Sequence, residues 1–185
     1  ADVLVGLRSG NLWRLNAISS ESRVETLGHQ AAVTSLVVGP RGEWLVSGSG
    51  DGELRITVPD DQMRDPLVRK EHTHPISGAV RSPSGRYIVT ADWGGTAIVW
   101  TTADWTVKRR LEAGVAISRL AMTETAIYAG DWAGTVHIWN ADTGEQRPAI
   151  ECRYPIHGLA VDPKREWLVT ASDQGTLDIR RLPEK

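Results

Sequence analysis

The sequence is short of several things at once. One cysteine, Cys152, stands in 185 residues, so no disulfide can form within the chain. That fits a reducing compartment, and the cytoplasm is the expected location. Phenylalanine is missing altogether, although there are eight tryptophans. No apolar run approaches the ~20 residues that a membrane-crossing helix needs, and no secretory n-region and h-region open the chain. Membrane insertion is therefore not expected. Charge of either sign is in little excess: the formal net charge is −2 and the pI about 6.2. That leaves no general electrostatic case for nucleic acid or an anionic membrane. Helical periodicity is weak throughout. The chain opens on Ala1 rather than methionine, which reads as a trimmed or processed sequence.

What is present is a repeat. A glycine-centred turn recurs at Gly10, Gly52, Gly95, Gly134 and Gly175, at spacings of 42, 43, 39 and 41 residues. A period near ~40 marks stacked supersecondary units. The flanks agree with one another. Leu45-Val46-Ser47-Gly48, Ile88-Val89-Thr90-Ala91 and Leu168-Val169-Thr170-Ala171 precede three of the turns. Thr96-Ala97-Ile98-Val99-Trp100, Thr135-Val136-His137-Ile138-Trp139 and Thr176-Leu177-Asp178-Ile179 follow three. Each turn thus joins two β-branched runs, which is a hairpin signal. Pro40, Pro83 and Pro163 each lie 12 residues before their glycine, and Val33, Ile76 and Ile156 each lie seven before their proline.

A full unit holds four strand-like runs. In the third unit these are Ile76 to Val80, Tyr87 to Ala91, Ala97 to Thr101 and Trp105 to Leu111. Short turns make neighbouring runs antiparallel. The first unit has only its last three runs, Val3–Leu7, Leu12–Ala17 and Val24–Leu27, and the fifth only its first three. The count is about 18 strands in units of about 1–30, 31–73, 74–115, 116–154 and 155–185, expected to form one repeat region over 1–185. The polar stretch Pro59 to Pro66 reads as a loop between units.

Gly28-His29, the run Val33 to Pro40, the turn Ser47-Gly48-Ser49-Gly50-Asp51-Gly52, the turn Ser82-Pro83-Ser84-Gly85, Trp100 and the pair Trp139-Asn140 together resemble the WD-repeat β-propeller family. The resemblance covers nearly the whole chain. It implies an all-β fold of four-stranded antiparallel blades, about five units here, three complete and two partial. A seven-bladed ring, common in that family, takes ~280–315 residues at ~40–45 per blade. The chain is therefore expected to be a portion of a larger propeller, with further blades in the same or another chain. A ring completed by another chain, or a small closed five-bladed ring, are the alternatives.

The resemblance also implies a His–Ser/Thr–Asp–Trp hydrogen-bond set in each blade, and no unit has all four. The second has His29, Ser47 and Asp51 but Thr57 in place of Trp. The third has His72, Thr90 and Trp100 but Gly94 in place of Asp. Ala113 and Cys152 stand where the fourth and fifth units would have histidine.

The turn between the second and third strands lies, by the resemblance, on a rim where such proteins hold partners. Aligned on the glycines, Arg8, Gly50, Trp93, Trp132 and Asp173 share one position. Asp92 and Asp131 precede the two tryptophans. Turn tips are ordinarily polar, and Trp and Arg dominate binding hot spots. Arg8, Asp92, Trp93, Asp131, Trp132 and Asp173 are the candidate partner-binding residues. The competing reading has both tryptophans folded down as packing.

Other residues have structural readings. Trp44, Tyr87 and Trp167 share a position and are expected to pack between blades. Trp13, Trp100 and Trp139 are expected in the core. His137 is expected on a partly exposed face, and His157 in a channel-lining first strand. Lys108-Arg109-Arg110 and Arg69-Lys70 fall on outer strands, where charge discourages edge pairing. His72-Thr73-His74 is too few ligands for zinc, and no metal or cofactor is expected. No Gly-x-Ser-x-Gly, phosphate loop with Lys or His-Glu-x-x-His occurs, so an enzyme is not expected.

The function expected is a non-catalytic scaffold that holds protein partners on its rim loops. The alternatives are the ligand-sensing region of a larger signalling or STAND-type NTPase protein, and an enzyme with chemistry at the channel mouth.

Overall fold

The computed structural model describes residues 2–16, 18–58, 65–162 and 167–182. Most of the loop expected over Pro59 to Pro66, the landmark Pro163 and the last residue of the run ending at Ala17 lie outside the described residues. The described chain holds eighteen strands and no helix. It divides into two compact units, Ala1–Ala79 and Val80–Lys185.

The first sheet contains β1 (Asp2–Gly6), β2 (Leu12–Asn16) and β3 (Ser22–Glu25). The second contains β4 (Val33–Val38), β5 (Leu45–Ser49), β6 (Leu54–Thr57) and β7 (Leu67–Arg69). The third contains β8 (Ile76–Arg81), β9 (Tyr87–Asp92), β10 (Thr96–Thr101) and β11 (Val107–Glu112). The fourth contains β12 (Ile117–Met122), β13 (Ala126–Asp131), β14 (Thr135–Asn140) and β15 (Gln146–Glu151). The fifth contains β16 (Ile156–Val161), β17 (Trp167–Ser172) and β18 (Leu177–Arg181). Each sheet is a meander in chain order, so the repeat resolves as three, four, four, four and three strands. The all-β expectation of repeated antiparallel meanders, with three strands in the first and last, holds.

The turn glycines do two things at once. Gly10 and Gly134 have φ of 81° and 93°, a left-handed conformation that costs a residue with a Cβ. Each also abuts the segment leading into the next sheet. A Cβ on Gly10 would sit 2.3 Å from the His29 carbonyl oxygen, and one on Gly134 would sit 2.9 Å from that of Cys152. Close backbone approach, added to positive φ, explains why glycine is the strongest signal of the repeat.

The cores lie between successive sheets. In the first unit Leu12, Leu27 and Leu45 are buried together between the first and second sheets. In the second unit Val89, Val99, Leu111, Ile117, Ile127 and Trp139 fill the space between the third and fourth sheets. Tyr128, Val136, Ile138, Ile156 and Leu168 fill that between the fourth and fifth. Burying each such side chain stabilises by about 1.5–3 kcal/mol. The alternation of β14 follows from the period of two: Trp139 points to one interface, Val136 and Ile138 to the other.

Trp44 and Tyr87 are buried as expected, as are Trp100 and Trp139. Trp13 and Trp167 are corrections: both are substantially exposed. They lie in the three-stranded first and fifth sheets. His137 is a correction too. It is buried, because an acceptor within its own hairpin draws it in.

Candidate functional site: the second-to-third-strand turns

Asp92 and Asp131 close their turns from inside. One carboxylate oxygen of Asp92 accepts from the N–H of Gly94 at 2.9 Å and of Thr96 at 3.0 Å. Asp131 does the same with Ala133 at 2.9 Å and Thr135 at 2.8 Å. Both acids are 1% exposed. Offered by the sequence as partner-binding residues, they are instead internal caps. A short acid two and four residues before backbone donors satisfies N–H groups that the tight turn cannot pair. The spacing Asp-x-x-Gly-Thr in Asp92 to Thr96 and Asp131 to Thr135 carried that signal. The fifth sheet uses a hydroxyl at this position: Ser172 Oγ accepts from the Gln174 N–H at 3.2 Å.

The consequence is that the next residue is pushed outward from a fixed turn. Trp93 is 58% exposed and Trp132 is 45% exposed. Neither is plugged into a core. Trp132 meets the His157 ring edge to face, with centroids 4.7 Å apart and planes at 90°. Asp173 occupies the same place in the fifth-sheet turn and is exposed. Arg8 is exposed in the turn of the first sheet, which belongs to the other compact unit. The structure thus places Trp93, Trp132 and Asp173 at tips within one unit and withdraws Asp92 and Asp131 from the surface.

His157 stands at an irregularity. The pairing of β16 with β17 skips from Ile156 to Gly158, as β12 skips from Ile117 to Arg119 and β4 from Val33 to Ser35. The skipped residue is a hydroxyl in the other two sheets. Thr34 donates to the Gly48 carbonyl at 3.1 Å and Ser118 to that of Gly130 at 3.0 Å. In the fifth sheet it is His157, whose Nε2 is buried with no hydrogen-bond partner.

The polar set inside the second sheet forms as the resemblance implied. His29 Nε2 lies 2.8 Å from Ser47 Oγ and Nδ1 lies 3.2 Å from Asp51 Oδ2. Burial holds the His29 value below its ordinary one, outweighing the attraction of Asp51. A neutral ring that accepts from Ser47 and donates to Asp51 satisfies all three groups. Burial pushes the Asp51 value up, but N–H bonds from Glu53 and Gln30 outweigh it, and the value ends below the ordinary carboxylate range. Thr57, in the place of the tryptophan, has a buried hydroxyl with no partner. In the third sheet the tryptophan is present, and Trp100 Nε1 donates to Thr90 Oγ1 at 2.9 Å.

The fourth sheet lacks the lead-in histidine and supplies another. His137 Nε2 lies 2.9 Å from Asp131 Oδ2, and its ring stacks on Trp139 at 5.6 Å. The sequence reading missed this pair.

His29, Asp51 and Glu53 bring three possible ligand atoms within 4.8 Å. Their atoms are already engaged. Glu53 is held by Arg55 at 2.7 Å and by Lys70, and both His29 nitrogens are used. The basic run on β11 is likewise committed. Lys108 Nζ reaches Tyr87 OH at 2.6 Å and Asp142 at 3.2 Å, and Arg109 donates to the Asp142 carbonyl at 2.7 Å. These contacts tie the third sheet to the fourth rather than presenting a cationic stripe. No helix among the described residues is long and apolar enough to cross a membrane.

Residues 21–57 and 66–101 match the family model "WD domain, G-beta repeat". The chain is 26% identical over 166 residues to the serine-threonine kinase receptor-associated protein of Gallus gallus, covering 89% of this chain and 46% of that protein. It is 27% identical over 119 residues to a Protein LST8 homolog of Drosophila pseudoobscura pseudoobscura, covering 60% of this chain and 37% of that one. The chain therefore spans less than half the length of these curated relatives. A crystal structure of a mitotic checkpoint complex contains a chain that superposes with a TM-score of 0.87 at 18% identity, covering 99% of this chain and 62% of that one. At that identity the likeness is one of fold.

Proposed function

The chain belongs to the WD-repeat β-propeller family, and from that premise we propose that it is a non-catalytic scaffold that holds a protein partner on the rim bearing Trp93 and Trp132. The observation that carries the reading is the pair of exposed tryptophans at equivalent turn tips, each held from below by a buried aspartate. A fixed, capped turn loses little conformational entropy when it is engaged. Large aromatic side chains in water have little to gain there unless something covers them. Asp173 adds a charge at the same turn position, and Arg8 is offered for the other unit. The relative whose name speaks of receptor association, and the assembly that contains the structural neighbour, agree with a protein-interaction role. The cytoplasm suits the chemistry of a chain with one cysteine.

The test is the double variant Trp93→Ser, Trp132→Ser, compared with the parent in capture of partners from the native source. Loss of capture at unchanged thermal unfolding is the expected result. A fall in unfolding temperature of more than about 4 °C would show that the tryptophans pack rather than bind.

The same proposal includes further blades, in this polypeptide or another. The outer faces of the first and fifth sheets, each considered by itself, carry exposed Val3, Val5, Trp13 and Val24, and exposed Trp167, Leu177 and Ile179. The native polypeptide or complex is expected to exceed 20.2 kDa on intact-mass measurement.

A further inference from the structure

The fifth sheet keeps part of the socket of the internal polar set, with Thr170 in the place of Ser47 and Gln174 in that of Asp51, but not the ring that fills it. The positional match is structural as well as sequential. His29, His72 and Cys152 each bring their carbonyl oxygen against the turn glycine of the preceding sheet, Gly10, Gly52 and Gly134. From this residue in the second sheet, the His29 ring runs inward to Ser47 and Asp51. In the fifth sheet the side chain is Cys152, four heavy atoms smaller than histidine. Thr170 stands where Ser47 does, and Arg180 where the third sheet has Trp100.

A cavity of about 260 Å³, open on one side, lies beside Cys152. That is several times the ~30 Å³ that one water occupies in the liquid. Its walls include Cys152, Tyr154, Thr170, Ser172, Asp178 and Arg180. Among the described residues the Thr170 hydroxyl meets only the Cys152 sulfur, at 3.7 Å, a weak partner for a residue that is otherwise buried. Arg180 does not fill the gap. It is drawn aside to Asp178 at 2.7 Å and to the Glu151 carbonyl at 3.0 Å. The walls therefore offer a hydroxyl able to donate or accept, a carboxylate acceptor and an aromatic ring.

We propose that this cavity binds a five-membered nitrogen heteroaromatic ring, an imidazole, in the place that the His29 ring occupies in the second sheet. One ring nitrogen accepts from or donates to Thr170, as His29 Nε2 pairs with Ser47. The N–H on the other side turns toward the Asp178 wall. The ring comes either as a free small molecule or as a histidine side chain offered by a partner.

The experiment uses the full-length protein at pH 8, where imidazole is neutral, with two probes: free imidazole and a blocked Gly-His-Gly tripeptide. Imidazole at ten times its dissociation constant, which for so small a ligand is of millimolar order, is expected to raise Tm by about 3–6 °C. Amide shifts in the 15N spectrum should concentrate at Cys152, Thr170 and Arg180. Tighter binding of the tripeptide assigns the ring to a partner's side chain; tighter binding of imidazole assigns it to a free molecule. Cys152→His should raise Tm without ligand and weaken imidazole binding at least tenfold. Should that variant fail to fold, Thr170→Val should weaken binding at least fivefold. The proposal is overturned if neither probe binds, if the shifts fall elsewhere, or if binding is the same in the folded variant as in the parent.

Discussion

The fourth and fifth sheets present the same face to opposite fates. Ala126, Tyr128, Val136 and Ile138 of the fourth are buried beneath Ile156 and Leu168 of the fifth. Forty-one residues later the equivalent positions are Trp167, Val169, Leu177 and Ile179. Of these, Trp167 is 44% exposed, Leu177 64% and Ile179 57%. The pairings Val169↔Ile179 and Ala171↔Leu177 put the apolar side chains together on one face of the sheet. The lesson is that local pattern fixes which face of a blade is apolar, while a neighbouring sheet fixes whether that face is core.

The largest expected effect breaks this comparison directly. Ile138→Ala should cost about 2–4 kcal/mol in urea unfolding, because it leaves a cavity between two sheets. Ile179→Ala should cost no more than about 0.5 kcal/mol in the 185-residue chain. If the same substitution costs as much as Ile138→Ala in the native assembly, a further blade covers that face. If it costs nothing there either, the proposal of further blades fails.

The turn glycines sharpen the contrast. A Cβ at Gly134 would press on the Cys152 and Tyr154 carbonyls at 2.9 Å, whereas one at Gly175 would meet nothing within 4 Å. Both have positive φ, 93° and 71°. Gly175→Ala should cost about 1 kcal/mol for the backbone alone, and Gly134→Ala about 2–3 kcal/mol, since it also forces two backbones apart. Equal losses would mean that the segments can separate freely.

The second and fifth sheets differ in the same spirit, a filled polar set against an empty socket. Burial makes His29 take up a proton less readily in the folded state than in the unfolded chain. As pH falls below the ordinary histidine value of about 6.5, the unfolded chain binds that proton first. The contribution of His29 is therefore fully present above about pH 6.5 and is lost as pH falls from there toward the lower folded value. The urea midpoint should drop between pH 7.5 and 5.5, and His29→Gln should flatten the drop, at some cost in stability at pH 7.5. A small effect of the opposite sign is expected at Thr57, whose buried hydroxyl is unpaired. Thr57→Val should raise stability by up to about 1 kcal/mol, read from the same unfolding curves.

Much of this was readable in the sequence. The turn glycines, the prolines twelve residues before three of them and the β-branched runs led to the observed strand count and meander order. So did the two partial sheets. The His29–Ser47–Asp51 set was readable from spacing by resemblance. The site was read less well. Asp92 and Asp131 look like surface acids beside a surface tryptophan, yet each is spent on backbone donors two and four residues ahead. His137 looks half-exposed in an alternating strand, yet Asp131 captures it from within the same hairpin. In both cases the missing information was where a turn bends its backbone N–H groups, a matter of a few ångströms that composition does not carry.

What the sequence determined alone was everything governed by neighbours in the chain: where strands start, where glycine must allow a left-handed turn, and which side chains alternate to a common face. What only the tertiary structure decided was burial. Trp139 and Trp167 both sit in strands of the same repeat, and one is core while the other is largely in water. The difference lies in the surface packed opposite, because the free energy of an apolar side chain depends on the water its neighbours remove, and those neighbours come from another sheet.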